Sequence, residues 1–167
     1  VQYCGAPGAR LVGAVYALAS HGGEVDAGGD VPGYLVRWDG AQWVQIGASG
    51  TVRCVHVAGT ILYIGYDNGS VSYWDGLSLH GYGQSELWSV RSLIHYDGKL
   101  VAAGYPADLI CVWNPGWDYL YPTSFFDAPD TIHDMAVFLD RLYVGGDLYG
   151  RSWDYQDVDN MGYWDGT

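Results

Sequence analysis

Lysine is nearly missing from this 167-residue chain, with Lys99 the single example, and glutamate occurs only as Glu24 and Glu86. Good surface helix formers are therefore scarce, which argues against an α-helical or mixed fold. The seven Lys and Arg stand against nineteen Asp and Glu, for a formal net charge of -12. Such a field repels phosphate backbones and anionic lipid, so nucleic acid and acidic membranes are excluded as expected partners. No apolar run approaches the roughly 20 residues of a membrane span, so no membrane insertion is expected. Cysteine is limited to Cys4, Cys54 and Cys111, with no CxxC pair. That suggests neither a disulfide framework nor a zinc site; at most one bridge could form, and buried free thiols are expected. The chain also lacks GxSxG, HExxH and a glycine-rich phosphate loop, and its five histidines are scattered.

What is abundant is turn and strand chemistry. Twenty-five Gly and six Pro, together with a large excess of Asp, supply turns; fifteen Tyr, eight Trp and many Val suit pleated strands. Composition alone points to an all-β protein of many short strands, in one domain.

The chain is built on a fourfold repeat. Segments beginning at Val15, Val52, Val90 and Ile132, each 15 residues long, align without gaps. Apolar residues recur at the first position, at the fourth (Leu18, Val55, Leu93, Met135) and at the eleventh (Val25, Leu62, Leu100, Leu142). Each segment reads as a strand, a tight turn and a second strand ending in glycine, a hairpin whose glycine implies a positive φ or a close neighbour. A Trp-Asp-Gly turn or a relative follows at Trp38, Trp74, Trp113 and Trp164, lying 23, 22, 23 and 32 residues after the first aligned position. A short fourth strand comes next, except that the last repeat stops at Thr167. Val1 to Gly5 resembles the missing strand, so the N-terminus is expected to complete the last repeat and close a ring.

Four strands per repeat at a period near 40 specify a β-propeller. The expected fold is all-β, with four blades of four antiparallel strands in a single domain, 1–167. Its blades cover approximately 6–47, 48–83, 84–123 and 124–167 plus 1–5. Two chains could equally close one eight-bladed ring.

The Trp-Asp dipeptides resemble those of WD40 repeats, and Gly28-Gly29 followed by Tyr34 and Trp38 resembles kelch repeats. The WDG-type, kelch-like propeller repeats of bacterial secreted and phage-associated proteins are more similar still. This resemblance implies the fold, not an activity. The Gly-His dipeptide of WD40 repeats is missing, which argues against a eukaryotic WD40 scaffold role. With the low lysine content, the resemblance implies an extracellular or virion-associated protein.

The Trp-Asp-Gly turns recur with the repeat, so they read as packing and turn elements. Departures from the repeat are more informative. In the fourth blade the connection between second and third strands is expected to expand into a loop from Asp147 to Asn160, and the connection from Thr123 to Asp130 is also long. In a propeller both connection types emerge on one face. Trp153, Asp154, Tyr155, Asp157, Asp159, Phe125 and Phe126 are therefore the candidate binding residues, with the aromatics as anchors for a protein partner. Asp154, Asp157, Asp159 and Asn160 could together hold Ca²⁺, but their spacing departs from an EF-hand loop and a solvated acidic loop explains them as well. No cofactor is otherwise expected. His56 and His95 read as core or rim histidines. Asn68-Gly69-Ser70 matches a glycosylation acceptor and equally reads as a turn.

The expected function is a non-enzymatic binding or assembly module making protein contacts, with protein partners or self-assembly. A lectin-like binder of glycans is the alternative, and a glycoside-active domain using paired carboxylates a second.

Overall fold

The computed structural model describes residues 10–107, 110–120, 131–151 and 157–164. Among the described residues, fifteen strands fall into four antiparallel sheets, each ordered as its strands follow in the chain. The first sheet, blade 1, holds β1 (Ala14–His21), β2 (Glu24–Asp30), β3 (Leu35–Trp38) and β4 (Trp43–Gln45). Blade 2 holds β5 (Val52–Ala58), β6 (Ile61–Tyr66), β7 (Ser70–Trp74) and β8 (Leu79–Gln84). Blade 3 holds β9 (Ser89–Tyr96), β10 (Lys99–Tyr105), β11 (Ile110–Trp113) and β12 (Trp117–Tyr119). Blade 4 shows three strands among the described residues, β13 (Thr131–Phe138), β14 (Arg141–Arg151) and β15 (Asp157–Trp164). The fourth strand expected from Val1 to Gly5 lies outside the described residues.

The repeat shows itself in the register. In every blade the first strand bulges at the second aligned position, where Tyr16, Arg53, Arg91 and His133 are skipped in the pairing. The glycines ending the second strands serve close approach, not positive φ. A Cβ on Gly29, Gly104 or Gly146 would overlap the carbonyl oxygen of Ala14, Ser89 or Thr131, the residue leading into the neighbouring strand. In blade 2 the same position is Tyr66, which is buried and bonds Ser72 Oγ at 2.6 Å.

The Trp-Asp-Gly turns are structural. Asp39 Oδ1 accepts from the backbone N–H groups of Ala41 and Gln42, both at 2.8 Å, and Asp75 Oδ1 accepts from those of Leu77 and Ser78 at 2.8 and 2.7 Å. Gly40 and Gly76 both adopt φ 99°, a left-handed backbone that favours glycine. Trp74, Trp113 and Trp164 pack against core clusters that join successive blades. Asn68 likewise makes a turn, its Oδ1 accepting from the N–H of Ser70 at 3.1 Å and from its Oγ at 2.6 Å.

Seams between blades form the core. The leading face of a blade, carrying aligned positions one, four and eleven, meets the trailing face of the blade before it. Ala19 and Leu35 of blade 1 meet Val52, Val55 and Leu62. Cys54 and Val71 of blade 2 meet Val90, Leu93 and Leu100. Ile94, Val101, Ala103, Ile110 and Val112 of blade 3 meet Ile132, Met135 and Leu142. Hydrophobic burial at these seams drives the sheets to stack, since each is apolar on both faces.

One cross-strand pair at each trailing face gives each seam its own chemistry. The pair is Asp26–Arg37 in blade 1, Tyr63–Tyr73 in blade 2, Val101–Val112 in blade 3 and Tyr143–Tyr163 in blade 4. Arg37 holds the fully buried Asp26 through Nε at 2.7 Å and Nη2 at 2.8 Å, and its Nη2 also lies 2.8 Å from His21 Nδ1. His21 Nε2 reaches across to Thr60 O of blade 2 at 2.9 Å. In blade 2, His56, Tyr63, Tyr73 and His80 form one row across four strands, and His56 meets His95 of blade 3. Tyr82 packs on Trp113, with ring centroids 4.3 Å apart.

The expected loop from Asp147 to Asn160 requires correction. β14 runs on to Arg151 and β15 starts at Asp157, with Tyr149, Gly150 and Arg151 paired to Asp159, Val158 and Asp157 after an irregularity past Gly145. The insertion is mostly hairpin because its residues satisfy their backbone groups on each other. It also serves the scaffold: Leu148 is fully buried in the core between blades 3 and 4.

Candidate interaction face

The bulged residues collect at the end of the molecule where second strands finish and first strands begin. A bulge re-aims the side chain it carries, and here it turns Arg53 onto Asp67. The pair is bidentate, Nε to Oδ1 at 2.8 Å and Nη2 to Oδ2 at 2.9 Å, and Ser89 Oγ donates to the same Oδ1 at 3.1 Å. The Arg53 guanidinium stacks 4.5 Å over the Tyr16 ring. Blades 1, 2 and 3 are thus tied together at this end. The hydrogen bonds from Arg53 hold the Asp67 carboxyl below its ordinary range, and Asp67 in turn raises the arginine. Blade 4 repeats the theme with His133 Nε2 at 2.9 Å from Asp147 Oδ2.

Beside this rim stands Trp88, 68% exposed in the connection from β8 to β9. Its loop is rigidly held. Ser85 bonds Gly69 O through both its N–H at 3.1 Å and its Oγ at 2.6 Å, and Leu87 is buried next door. The Trp88 N–H donates to Tyr105 O at 2.8 Å, and its ring meets the Tyr105 ring edge-on, centroids 5.4 Å apart. A large aromatic is therefore presented to solvent in a fixed pose, the arrangement that costs a partner least conformational entropy.

Of the residues that the sequence nominated, Phe125, Phe126, Trp153, Asp154 and Tyr155 lie outside the described residues. Asp157 and Asp159 lie in β15, where a loop was expected. The suggested calcium ligands thus fall partly outside the described residues and partly on a strand. Trp88 was missed, although it is a tryptophan outside both the aligned segments and the Trp-Asp-Gly turns. His56 and His95 do occupy a half-buried rim position, but their mutual contact had no signal in the sequence.

A base touching a nucleophile is one common arrangement for nucleophilic catalysis, and a thiol of lowered pKa is another. The described imidazoles engage carboxylates (His80 with Asp75, His133 with Asp147), a carbonyl, an arginine or one another. The thiols of Cys54 and Cys111 are buried, and burial pushes both up, Cys111 to about 11. That disfavours the reactive thiolate.

No protein-family model matches the chain, and neither does any curated protein. Among solved structures, the computationally designed Ika4 protein is similar at 16% identity and TM-score 0.64, covering 98% of each chain. The designed Ika8 protein is similar at 20% identity and TM-score 0.57, covering 92% of this chain and 46% of that one. YCF48 bound to D1 peptide is similar at 18% identity and TM-score 0.53, covering 89% and 51%. The chain folds into four propeller-type blades. At these identities the likeness carries the architecture alone, and no WDG or kelch family is thereby assigned.

Proposed function

We propose that this propeller is a non-enzymatic binding and assembly module that takes a protein partner on the face bearing Trp88, in an extracellular or virion-surface structure. The rigid exposure of Trp88 carries this reading: an aromatic that the core does not use, held in one pose beside the Arg53–Asp67 rim, is the usual centre of a binding hot spot. The net charge of -12 favours a neutral or basic partner segment. That a similar propeller has been solved with a bound peptide supports the class of ligand.

Selection of displayed peptides on the immobilised protein tests it. Enriched peptides are expected to lose on the order of tenfold or more in affinity against Trp88→Ala, while the thermal midpoint of the variant stays put. Peptides that bind both proteins equally would remove Trp88 from the site. The same exposed ring suits stacking on a sugar, so binding on a glycan array that Trp88→Ala abolishes would move the function to carbohydrate recognition. Turnover of a glycoside substrate that a single Asp substitution abolishes would overturn the non-enzymatic reading.

A further inference from the structure

The three internal seams leave two faces of the chain over. On blade 1, Val15, Leu18 and Val25 hold the leading-face positions that are covered in every other blade, yet all three are exposed, Leu18 to 65%. Their equivalents Val52 and Leu62, Val90, Leu93 and Leu100, and Ile132, Met135 and Leu142 are buried. On blade 4, the trailing-face positions filled in blade 3 by Tyr96, Ile110 and Val112 are Phe138, Met161 and Tyr163, and these too are exposed, Met161 to 64%.

The fourteenth aligned position reads the same way. A Cβ on Gly28 would press into Val52, one on Gly65 into Val90, and Ala103 packs in one cluster with Ile132. Each time the neighbour is the first aligned residue of the next blade. Gly145 breaks the series: among the described residues, a Cβ there would meet only Asn160 O, at 3.8 Å. By the repeat its missing neighbour is the valine-type side chain that Val15 carries. Among the described residues, blades 4 and 1 share no strand-on-strand packing like that between successive blades.

We propose that a second copy of this chain covers both faces, blade 4 of each protomer docking on blade 1 of the other to close a two-fold ring of eight blades. The surfaces match in kind, since each is the half of a seam that the chain already builds three times. The two-fold repeats that seam, so no half is left over. Exposed apolar side chains clustered on one face mark such an interface. Arg141, stacked 4.7 Å over the Tyr163 ring, places a charge beside the apolar patch.

Light scattering of the unmodified chain over a range of concentrations is the first test, with a particle of twice the 18.2 kDa chain mass expected. Leu18→Asp and Met161→Asp each put a carboxylate into the docking face while removing no contact buried within one chain. Each variant alone should be an 18.2 kDa monomer. Mixed one to one they should regain a two-chain particle, because Met161 of the first variant still faces Leu18 of the second, leaving one intact seam. A particle of single-chain mass at every concentration overturns the proposal in favour of a ring closed within one chain. A larger polymer overturns the two-chain count. A dimer that survives both substitutions overturns the assigned faces. Should either variant fail to fold by circular dichroism, the mass of the unmodified chain still decides between one chain and two.

Discussion

His56 Nε2 and His95 Nδ1 lie 3.1 Å apart across the seam between blades 2 and 3, with ring centroids 5.2 Å apart. Burial lowers both below the ordinary histidine value, and for His56 the neighbouring imidazole lowers it further. Only one of two such nitrogens can donate, so the pair needs at least one neutral ring. Tyr63 packs beside both, 6.4 Å from His56 and 5.1 Å from His95.

A base whose folded pKa is depressed binds fewer protons when folded than when unfolded just below the unfolded value, so stability falls as pH drops. The protein should hold its stability above about pH 6.5 and lose it progressively below, until the folded-state values are passed. Urea midpoints at pH 7.5 and 5.0 measure this. His56→Gln, which keeps a hydrogen-bonding group toward His95 but cannot protonate, should shrink the acid-side loss.

Asp75 should titrate far below an ordinary aspartate. Its carboxylate accepts from the Ser78 and Leu77 backbone N–H groups and pairs with His80, which together lower it from 3.8 to about 2. The bonds favour the ionised form, so what they contribute is present above the unfolded pKa and is lost as pH falls through about 2. Carboxyl chemical shifts followed through an acid titration check the value, and His80→Ala should raise it part of the way back.

Replacing Asp26 should be among the most damaging single changes. It is fully buried, its partner Arg37 is mostly so, and Asp26→Ala leaves the Arg37 guanidinium facing the seam between blades 1 and 2 without its buried carboxylate, with only the half-exposed Glu24, 3.1 Å from Nη1, still opposite it. Breaking one partner from such a pair costs roughly 3–5 kcal/mol. Chemical denaturation should show that loss. A change under about 1 kcal/mol would mean the pair behaves as a solvated surface ion pair.

Two glycines should respond oppositely to alanine. At Gly104 the new Cβ would overlap the Ser89 carbonyl, which is backbone and cannot swing aside, so Gly104→Ala should cost about 1–3 kcal/mol or more. At Gly81 nothing among the described residues lies within 4 Å and φ is not positive, so Gly81→Ala should be neutral or stabilise by roughly 0.5 kcal/mol through the unfolded chain. Thermal midpoints of the two variants separate these outcomes.

The amino-acid sequence by itself determined the sheets. Apolar residues at aligned positions one, four and eleven, turns at fixed offsets and terminal glycines are local features, and local hydrogen bonding plus alternation turn them into hairpins wherever they stand. The role of Trp-Asp-Gly as packing and turn was legible for the same reason, because a motif that recurs with the scaffold serves the scaffold. Tertiary structure alone decided what faces what. Asp26 with Arg37 and His21, His56 with His95, and Arg53 over Tyr16 each depend on the stagger of strands or the stacking of sheets, which no spacing along the chain encodes. The hairpin that replaced an expected loop after Asp147 depends on backbone pairing across an insertion that breaks the repeat, where the period gives no guide. Trp88 and the uncovered pair of Leu18 and Met161 follow the same rule: exposure is set by which neighbours stack where, and the position that Met161 holds at the surface is core in the other three blades, as Leu35, Val71 and Ile110.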